Sequence, residues 1–309
     1  MKHFINLKDI SSKDLRKIIT DAKKRKSLRK NLSTLEVDKG SPLKGKLLIQ
    51  MFEKSSLRTR ISFYLAIKQL GGSTLTLRPD ELHLSKGGES IEDTAKILSN
   101  FGNAFMLRTN SDKKLEEFRK YLSIPIINGL SPSSHPTQVL SDIFTVEEIK
   151  KKQISKLKIA WIGDSNNVLN SLIAASIKFS FKLNIGCPKK YQPHKKIISY
   201  IRQNKNKIFI YDDPKKAATG SDVIFSDKVI SMNDKVNKSK KLSHFKKFKI
   251  NKKLMSFAKK DCIFLHCLPR GTEVDEKIFS SKKSKVWQQA LNRVHVQKSI
   301  LLYSLGELR

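Results

Sequence analysis

Short apolar runs of strand length alternate with helical patterns along almost the whole chain. The first run, Leu47–Phe52, leads into a helical pattern that ends at Gly71 and Gly72. Strict succession of strand and helix is typical of parallel sheets covered by helices, so we expect an α/β fold. The sequence predicts strands at residues 47–52, 73–77, 104–107, 124–128, 157–162, 183–187, 208–211, 223–226 and 262–266.

A lysine cluster at residues 150–152 separates two such alternations. The 309-residue chain is long enough for two domains of ordinary size, which we place at 1–148 and 149–309. Each domain is predicted to be a doubly wound parallel sheet. Ligands of such sheets bind outside the carboxyl ends of the strands. The polar residues of this chain that are candidates for ligand binding fall at the same strand ends. We therefore expect the active site in the cleft between the two domains.

A serine- and arginine-rich turn joins the first strand to its helix, within the segment FEKSSLRTRISF at 52–63. The first backbone N–H groups of that helix lack partners inside it and lie at the positive end of its dipole. Arg58 adds a planar fork of donors that suits phosphate oxygens. The turn therefore predicts a phosphate site, with a capped surface helix and solvated arginines as the alternative.

Basic residues outnumber acidic ones by 62 to 28, so the formal net charge is +34. Such an excess attracts polyanions, and a nucleic-acid-binding protein is one interpretation. However, the chain has no zinc-finger spacing, no RNP-like aromatic signature and no basic region leading into heptads. The other interpretation is a lysine-rich surface, whose positive field would still attract a small anionic substrate.

The cysteines and the hydropathy pattern bear on the cellular compartment. Cys187, Cys262 and Cys267 are odd in number and show no CxxC spacing, which favours reduced thiols over disulfides or a zinc cluster. The chain has no apolar N-terminal run and no apolar stretch of about 18 residues, so neither a signal peptide nor a membrane span is predicted. We expect a cytoplasmic protein.

Together with the phosphate turn, further segments resemble the aspartate/ornithine carbamoyltransferase family, and the likeness covers nearly the whole chain. These segments are GESIEDTAKILS at 88–99, HPTQ at 135–138, GDSNNV at 163–168, SDKVISM at 226–232, HCLP at 266–269 and NRVHVQKSIL at 292–301. HCLP, and an Asp before Ser-Met, look like the ornithine branch. The aspartate branch typically reads His-Pro-Leu-Pro.

The resemblance implies transfer of the carbamoyl group from carbamoyl phosphate to the δ-amine of L-ornithine, giving L-citrulline and phosphate, as in arginine biosynthesis. It implies no metal and no organic cofactor, and a homotrimer or a multiple of trimers. It also implies that domain 1–148 binds carbamoyl phosphate and domain 149–309 binds ornithine. The last helix, at about 286–309, is expected to pack back on the first domain.

Motif match assigns the phosphate of the first substrate to the start of the helix after the first strand. Ser56, Leu57, Arg58 and Thr59 would hold it, mostly through backbone N–H groups, and Arg108 would bridge the phosphate and the carbonyl. The family more often has Thr where this chain has Leu57. Because a backbone donor is what the site needs, that side chain matters little.

The resemblance assigns the carbamoyl group to a second set of residues. His135 and Arg293 would donate to the carbonyl oxygen, on which the attack builds negative charge that positioned donors stabilise. Gln138 would accept from the carbamoyl amine, Leu268 would offer its backbone carbonyl to the same NH2 group, and Cys267 belongs to this set. Taken alone, a histidine before a proline would be a capping or core residue.

The resemblance also assigns the second substrate. Asn167, Ser231 and Met232 would contact the α-carboxylate and α-amino group, and Asp227 would attract the cationic amines. The δ-amine must lose a proton before it attacks; desolvation lowers its pKa, and Cys267 with Asp227 would orient it. A turn asparagine and a small buried cysteine are the alternatives. The residues expected to be catalytic are Arg58, Arg108, His135, Asp227, Cys267 and Arg293.

Some positions are weaker candidates or depart from the family. His83 is a candidate contact to carbamoyl phosphate and Lys86 a weaker one, with a solvated loop as the alternative. Val229 replaces a Trp and Asn233 a Gly, which bears on loop packing more than on polar contacts. The loop after HCLP, at residues 270–273, is shorter than the common family form.

Two other functions stay open at this point. Within the family, the accepting amine would be putrescine or a modified ornithine. The alternative from another functional class is a basic, non-catalytic nucleic-acid-binding protein. Its affinity for nucleic acid would fall steeply with added salt and would not be lost on the Arg58→Ala substitution.

Overall fold

The computed structural model describes residues 1–78, 88–204, 207–230 and 237–308. The chain forms two compact units, one made of Met1–Phe144 with Leu291–Arg309 and the other of Thr145–Ala290. The structure confirms the predicted α/β class: it has two parallel sheets, and the final helix returns to the first unit. Among the helices in these ranges, none has the length and apolar character needed to cross a membrane.

The first unit is built on a four-stranded parallel sheet. Its strands are β1 (Leu47–Phe52), β2 (Ser73–Leu77), β3 (Ala104–Arg108) and β4 (Ile126–Leu130). Its helices are α1 (Ser12–Leu28), α2 (Leu57–Gln69), α3 (Ile91–Phe101), α4 (Asp112–Tyr121) and the start of α5 (Pro136–Lys150). The strand order is β2-β1-β3-β4.

Serine caps fix where the helices of the first unit begin. The hydroxyl oxygens of Ser11, Ser56, Ser90 and Ser111 accept backbone N–H groups at the starts of α1, α2, α3 and α4. Apolar side chains between α3, α4 and the sheet form the core, in which the rings of Phe105 and Phe118 lie 5.2 Å apart. The caps and this core hold the carboxyl ends of the strands in place.

The second unit is built on a five-stranded parallel sheet. Its strands are β5 (Lys158–Ile162), β6 (Lys182–Gly186), β7 (Ile208–Tyr211), β8 (Val223–Ser226) and β9 (Ile263–His266), in the order β7-β6-β5-β8-β9. Its helices are α6 (Asn167–Phe179), α7 (Lys195–Gln203), α8 (Pro214–Ala218), α9 (Lys238–Phe245), α10 (Lys252–Met255) and α11 (Glu276–Phe279). The last helix, α12 (Val286–Leu305), begins here and belongs to the first unit from Leu291 onward.

The strand order of each sheet reverses beside its first strand. In the first sheet β1 lies between β2 and β3, and in the second β5 lies between β6 and β8. At such reversals the loops after adjacent strands run in opposite directions, which leaves a crevice where ligands of this architecture bind. The loops after β1 and β3, and those after β5 and β8, carry most of the residues that the sequence analysis selected.

Some boundaries differ from the sequence-based expectations. Arg108 is the last residue of β3, where we expected it to follow the strand. The strand predicted from residue 124 begins at Ile126, after a proline that has no N–H to give to a sheet ladder. Helix α4 was not predicted, because only Leu115 and Phe118 of its ten residues are buried.

Candidate active site

The turn after β1 presents the start of α2. Ser56 has extended dihedral angles, and its side-chain oxygen accepts the N–H of Thr59 at 3.4 Å. Leu57 is the first helical residue and its side chain is 72% exposed, so only its backbone can serve a ligand held at the helix start. No acidic residue lies in the first turn, which leaves the positive end of the helix dipole uncompensated there.

Glu53 connects this turn to the loop after β3, and sequence reasoning missed it. Its carboxylate accepts from the Thr109 hydroxyl, the Asn110 N–H at 3.1 Å and the Lys114 ammonium. Burial alone would raise the pKa of Glu53, but the hydrogen bonds from Lys114 and Thr109 outweigh it, and the pKa is lowered. The sequence feature that could have identified Glu53 is a carboxylate directly after a predicted strand and next to the phosphate turn.

Three helices of the first unit meet around the guanidinium of Arg293, from α12. It donates to Thr59 Oγ1 at 2.8 Å on α2 and to Gln138 Oε1 on α5. Gln138 in turn donates to Asp142 Oδ1 at 2.7 Å. All four side chains are buried, so this network fixes their orientation.

His135 lies beside this network and is only 4% exposed. Burial lowers the pKa of His135 well below its usual value, and the guanidinium groups of Arg293, Arg108 and Arg58 lower it further. The pairing of β3 with β4 shifts register at the end of β3, since Leu107 pairs with Asn128 and Arg108 with Leu130, which leaves an extra residue in β4. The structure thus gathers three guanidinium groups around one neutral imidazole, an arrangement that attracts an anion and offers N–H donors.

Asp227, which follows β8, is the centre of the corresponding group in the second unit. Its carboxylate accepts from Asn166 Nδ2 at 2.7 Å and from the Cys267 thiol at 2.8 Å. Asn166 also caps α6 by accepting from Val168 N–H at 3.0 Å and from the next N–H in the chain. Sequence reasoning named Asn167, the first residue of α6, and missed Asn166. The feature that could have identified Asn166 is its position as the N-cap of that helix.

The cysteines differ in environment. All three are free thiols. Burial raises the pKa of Cys187, and it raises the pKa of Cys262 to about 12. Cys267 is half-buried, and its thiol donates a hydrogen bond to Asp227. The alternative interpretation of Cys267 as only a small buried residue therefore describes the other two cysteines better.

Several of the predicted residues have no described geometry. His83, Lys86, Ser231 and Met232 lie outside the described residues. Leu268 directly follows Cys267 and is half-buried. Within the described ranges, no group of three or more His, Cys, Asp and Glu side chains could hold a metal ion.

Two family models match the chain almost end to end. Residues 2–148 match the carbamoyl-P binding domain of aspartate/ornithine carbamoyltransferase, and residues 155–304 match its Asp/Orn binding domain. The chain belongs to the aspartate/ornithine carbamoyltransferase family. The resemblance inferred from the motifs is therefore confirmed.

Relatives within this carbamoyltransferase family match over their full length. The ornithine carbamoyltransferases of Agrobacterium fabrum and Caulobacter vibrioides are each 39% identical, over 99% of this chain and 98% of their own. A solved ornithine carbamoyltransferase from Pyrococcus furiosus superposes with a TM-score of 0.91 at 36% identity, over 99% of this chain and 97% of that one. The anabolic enzyme of Campylobacter jejuni gives a TM-score of 0.88 at 38% identity, over 98% and 99%.

Proposed function

We propose that this chain transfers the carbamoyl group of carbamoyl phosphate to the δ-amine of L-ornithine and releases L-citrulline and phosphate. The observation that carries this proposal is the full-length similarity to several proteins named ornithine carbamoyltransferase. The two residue groups described above supply chemistry that suits this reaction. Domain 1–148 would bind carbamoyl phosphate and domain 149–309 would bind ornithine.

In the first unit, positive charge and N–H donors would hold and activate carbamoyl phosphate. The start of α2 with Arg58 and Arg108 suits the phosphate dianion, and phosphate leaves more readily where its charge is stabilised. His135, kept neutral by burial, can donate one N–H to the carbonyl oxygen together with Arg293. Gln138 Oε1 has a second lone pair for the carbamoyl amine beside its bond from Arg293.

In the second unit, Asp227 and Cys267 would receive the amine. The carboxylate attracts the ornithine cation, and Asn166 and the thiol fix its direction. The neutral δ-nitrogen attacks the carbonyl carbon and forms the carbon–nitrogen bond. Collapse of the intermediate breaks the bond to the phosphate oxygen, and the proton that the nitrogen loses leaves with the phosphate. Asn167, Ser231 and Met232 would contact the α-amino acid end.

A citrulline assay tests the proposal and the choice of amine. We expect citrulline from carbamoyl phosphate and ornithine, with kcat/KM for putrescine lower by about 1,000-fold or more, because contacts built for the α-carboxylate stay unpaired. Arg58→Ala should abolish most turnover while the melting temperature changes little. No citrulline from the wild type, or a preference for putrescine, would contradict the proposal.

Exposed apolar side chains in the first unit bear on the state of assembly. Leu57, Ile61 and Tyr64 form an exposed apolar stripe on α2, and Leu75 is exposed on the edge strand β2, which suits contact with further copies in a homotrimer. Sedimentation of the wild type at three times the chain mass, or at a multiple of that mass, is the expected result, and a monomer would contradict it. The anabolic relative favours arginine biosynthesis, and we keep a cytoplasmic location without metal or cofactor as predictions.

A further inference from the structure

The loop after β9 is held by a buried histidine–glutamate pair outside the predicted site. The side chain of His266 is inaccessible to solvent and that of Glu273 is 3% exposed. His266 Nδ1 accepts the backbone N–H of Leu268 at 3.0 Å, and Nε2 lies 3.1 Å from Glu273 Oε1. Because Nδ1 is the acceptor, the neutral imidazole carries its hydrogen on Nε2 and donates it to the carboxylate.

Glu273 is itself fixed from a second direction. The same Oε1 atom accepts the backbone N–H of Gly271. Burial alone would raise the pKa of Glu273, but the hydrogen bonds from His266 and Gly271 outweigh it and the pKa is lowered, so the group stays a carboxylate. A Cβ on Gly271 would lie 2.8 Å from Glu273 Oε2, and the loop therefore closes tightly over the carboxylate.

The backbone that this pair holds is strained. Leu268 has φ of +56°, a left-handed conformation that costs free energy for any residue with a Cβ. Its N–H is the group that His266 accepts, so the bond opposes relaxation of the strain. The residue before it, Cys267, is the one that donates to Asp227. Relaxation of the backbone at Leu268 would therefore displace the Leu268 carbonyl and shift the neighbouring Cys267 thiol.

We propose that Glu273 is a positioning residue for carbamoyl transfer, which acts through His266 to fix the Leu268 carbonyl and the Cys267 thiol. This inference rests on the proposed function and extends it to a side chain that contacts neither substrate. It assigns a role to the shortened loop at residues 270–273, which closes the ring of hydrogen bonds between Gly271 and Glu273.

Kinetics of Glu273 variants test the proposal against a matched buried carboxylate. Asp222, in the second unit, is 6% exposed as a whole residue, the same as Glu273. It likewise accepts one backbone N–H, from Lys158, and one side-chain donor, from Lys259. We expect Glu273→Ala to lower kcat about 100-fold and Glu273→Gln about 10-fold, since the amide oxygen can still accept both donors. Asp222→Ala and Asp222→Asn should leave kcat within about twofold of the wild type.

The KM for carbamoyl phosphate separates positioning from general loss of structure. Because the phosphate contacts lie in the first unit, that KM should change less than about threefold in the Glu273 variants. The proposal is overturned if kcat of Glu273→Ala matches that of Asp222→Ala, or if the loss appears only in the KM for carbamoyl phosphate.

Alkylation of Cys267 with iodoacetamide supplies a readout that needs no activity. Cys187 and Cys262 are buried with raised pKa values, so the fast-reacting thiol is Cys267. We expect Glu273→Ala to raise its alkylation rate several-fold and Asp222→Ala to leave it unchanged. An unchanged rate in Glu273→Ala overturns the proposal whatever happens to kcat. A wild type without citrulline formation would instead refute the proposed function, and the alkylation test would still stand.

A second variant covers the case in which Glu273→Ala does not fold. Gly271→Ala keeps the carboxylate but places a methyl group against it, which displaces Glu273. We expect lower kcat and faster Cys267 alkylation, with little further loss when Glu273→Gln is added, because both changes disturb the same contact. Full additivity of the two losses would overturn the proposal.

Discussion

At the scale of single residues, His135 shows how its surroundings shift the pKa of a side chain. Burial and the nearby guanidinium groups of Arg293, Arg108 and Arg58 depress the pKa of His135 well below its ordinary value of 6.5. The unfolded chain binds a proton below that pH, whereas the folded chain does not until its lower pKa is reached. The contribution of His135 to stability is therefore complete above pH 6.5 and is lost as the pH falls towards the folded pKa.

Replacing His135 with glutamine should flatten this acid dependence. The free energy of unfolding of the wild type should fall more steeply below pH 6.5 than that of His135→Gln, by up to about 1.4 kcal/mol per pH unit, which corresponds to one proton. Urea unfolding at several pH values between 5 and 8 would measure this. Parallel curves for the two proteins would contradict it.

Sequence reasoning found the residues that would contact substrate better than those that hold them. His135, Gln138, Asp227 and Arg293 stand in motifs, and the structure places each of them in a buried or hydrogen-bonded group. Asn166 and Glu53 were missed because their partners Asp227 and Thr109 lie in other segments of the chain. Those pairings depend on strand order and loop path, which a pattern of residue types does not encode.

At the scale of elements, a carboxylate ties together the ends of two neighbouring strands. β1 and β3 are adjacent in the first sheet, and Glu53 after β1 binds Thr109 and Asn110 after β3. The phosphate turn and Arg108 leave the sheet at these same strand ends. Their separation therefore depends on Glu53.

Glu53→Ala should weaken carbamoyl phosphate binding. We expect its KM to rise about tenfold, with the KM for ornithine within about twofold, because only the first unit is disturbed. Steady-state kinetics would show this. Glu116→Ala, which removes an exposed ion pair with Arg119, is the control and should change neither constant. Equal effects on both substrates would contradict the prediction.

Helix α12 is anchored to the first unit by Asp38. This carboxylate accepts from Arg29 at 2.6 Å and from Lys298 at 2.8 Å, and Arg25 lies 3.8 Å away. Burial lowers the pKa of Lys298 to about 8, and the bond to Asp38 opposes that effect. One carboxylate thus compensates several cations.

Asp38→Asn should therefore destabilise the first unit more than a substitution that removes one of the cationic side chains around Asp38. We expect a cost of about 3 to 5 kcal/mol, because the buried cations lose their counter-charge. Lys298→Met should cost less, since Asp38 keeps Arg29 and the methionine fills a similar volume. Thermal unfolding of both variants would rank them. A larger effect of Lys298→Met would contradict the prediction.

Periodicity predicted the elements that have buried faces, and it could not order them. The strands at 47–52, 73–77, 208–211 and 223–226 agree with the structure to the residue. Three of them are mainly apolar runs bounded by polar turns, whereas the strand at 73–77 alternates threonine with leucine. Helix α4 was not predicted, because its two buried apolar residues, Leu115 and Phe118, stand among mostly charged ones. Which strands are neighbours depends on contacts between distant segments, so the reversals beside β1 and β5 appeared only in the fold.

At the scale of the whole molecule, the net charge of +34 is the unusual property. A field of this sign concentrates anions near the protein, and added salt screens it over a Debye length of about 10 Å at 0.1 M. The same field repels cations. The two substrates, of opposite charge at their reacting ends, should therefore respond differently.

Salt should weaken apparent binding of carbamoyl phosphate and spare that of ornithine. Between 20 and 300 mM NaCl we expect the KM for carbamoyl phosphate to rise about three- to tenfold, while kcat changes little and the KM for ornithine stays constant or falls. Inorganic sulfate would confound the test and should be avoided. A KM for carbamoyl phosphate that does not depend on salt would contradict the prediction. Tight nucleic-acid binding that survives Arg58→Ala would favour the non-catalytic alternative.

The first unit is not continuous in sequence, since it needs both Met1–Phe144 and Leu291–Arg309. During synthesis, the amino-terminal part of this unit emerges from the ribosome long before Arg293 and Lys298 are added to the chain. Until then Asp38 lacks its α12 partner, and Thr59 and Gln138 lack the guanidinium that joins them. A chain that ends before α12 would therefore leave these three polar side chains without the partners that α12 supplies, and we expect it not to complete the first unit.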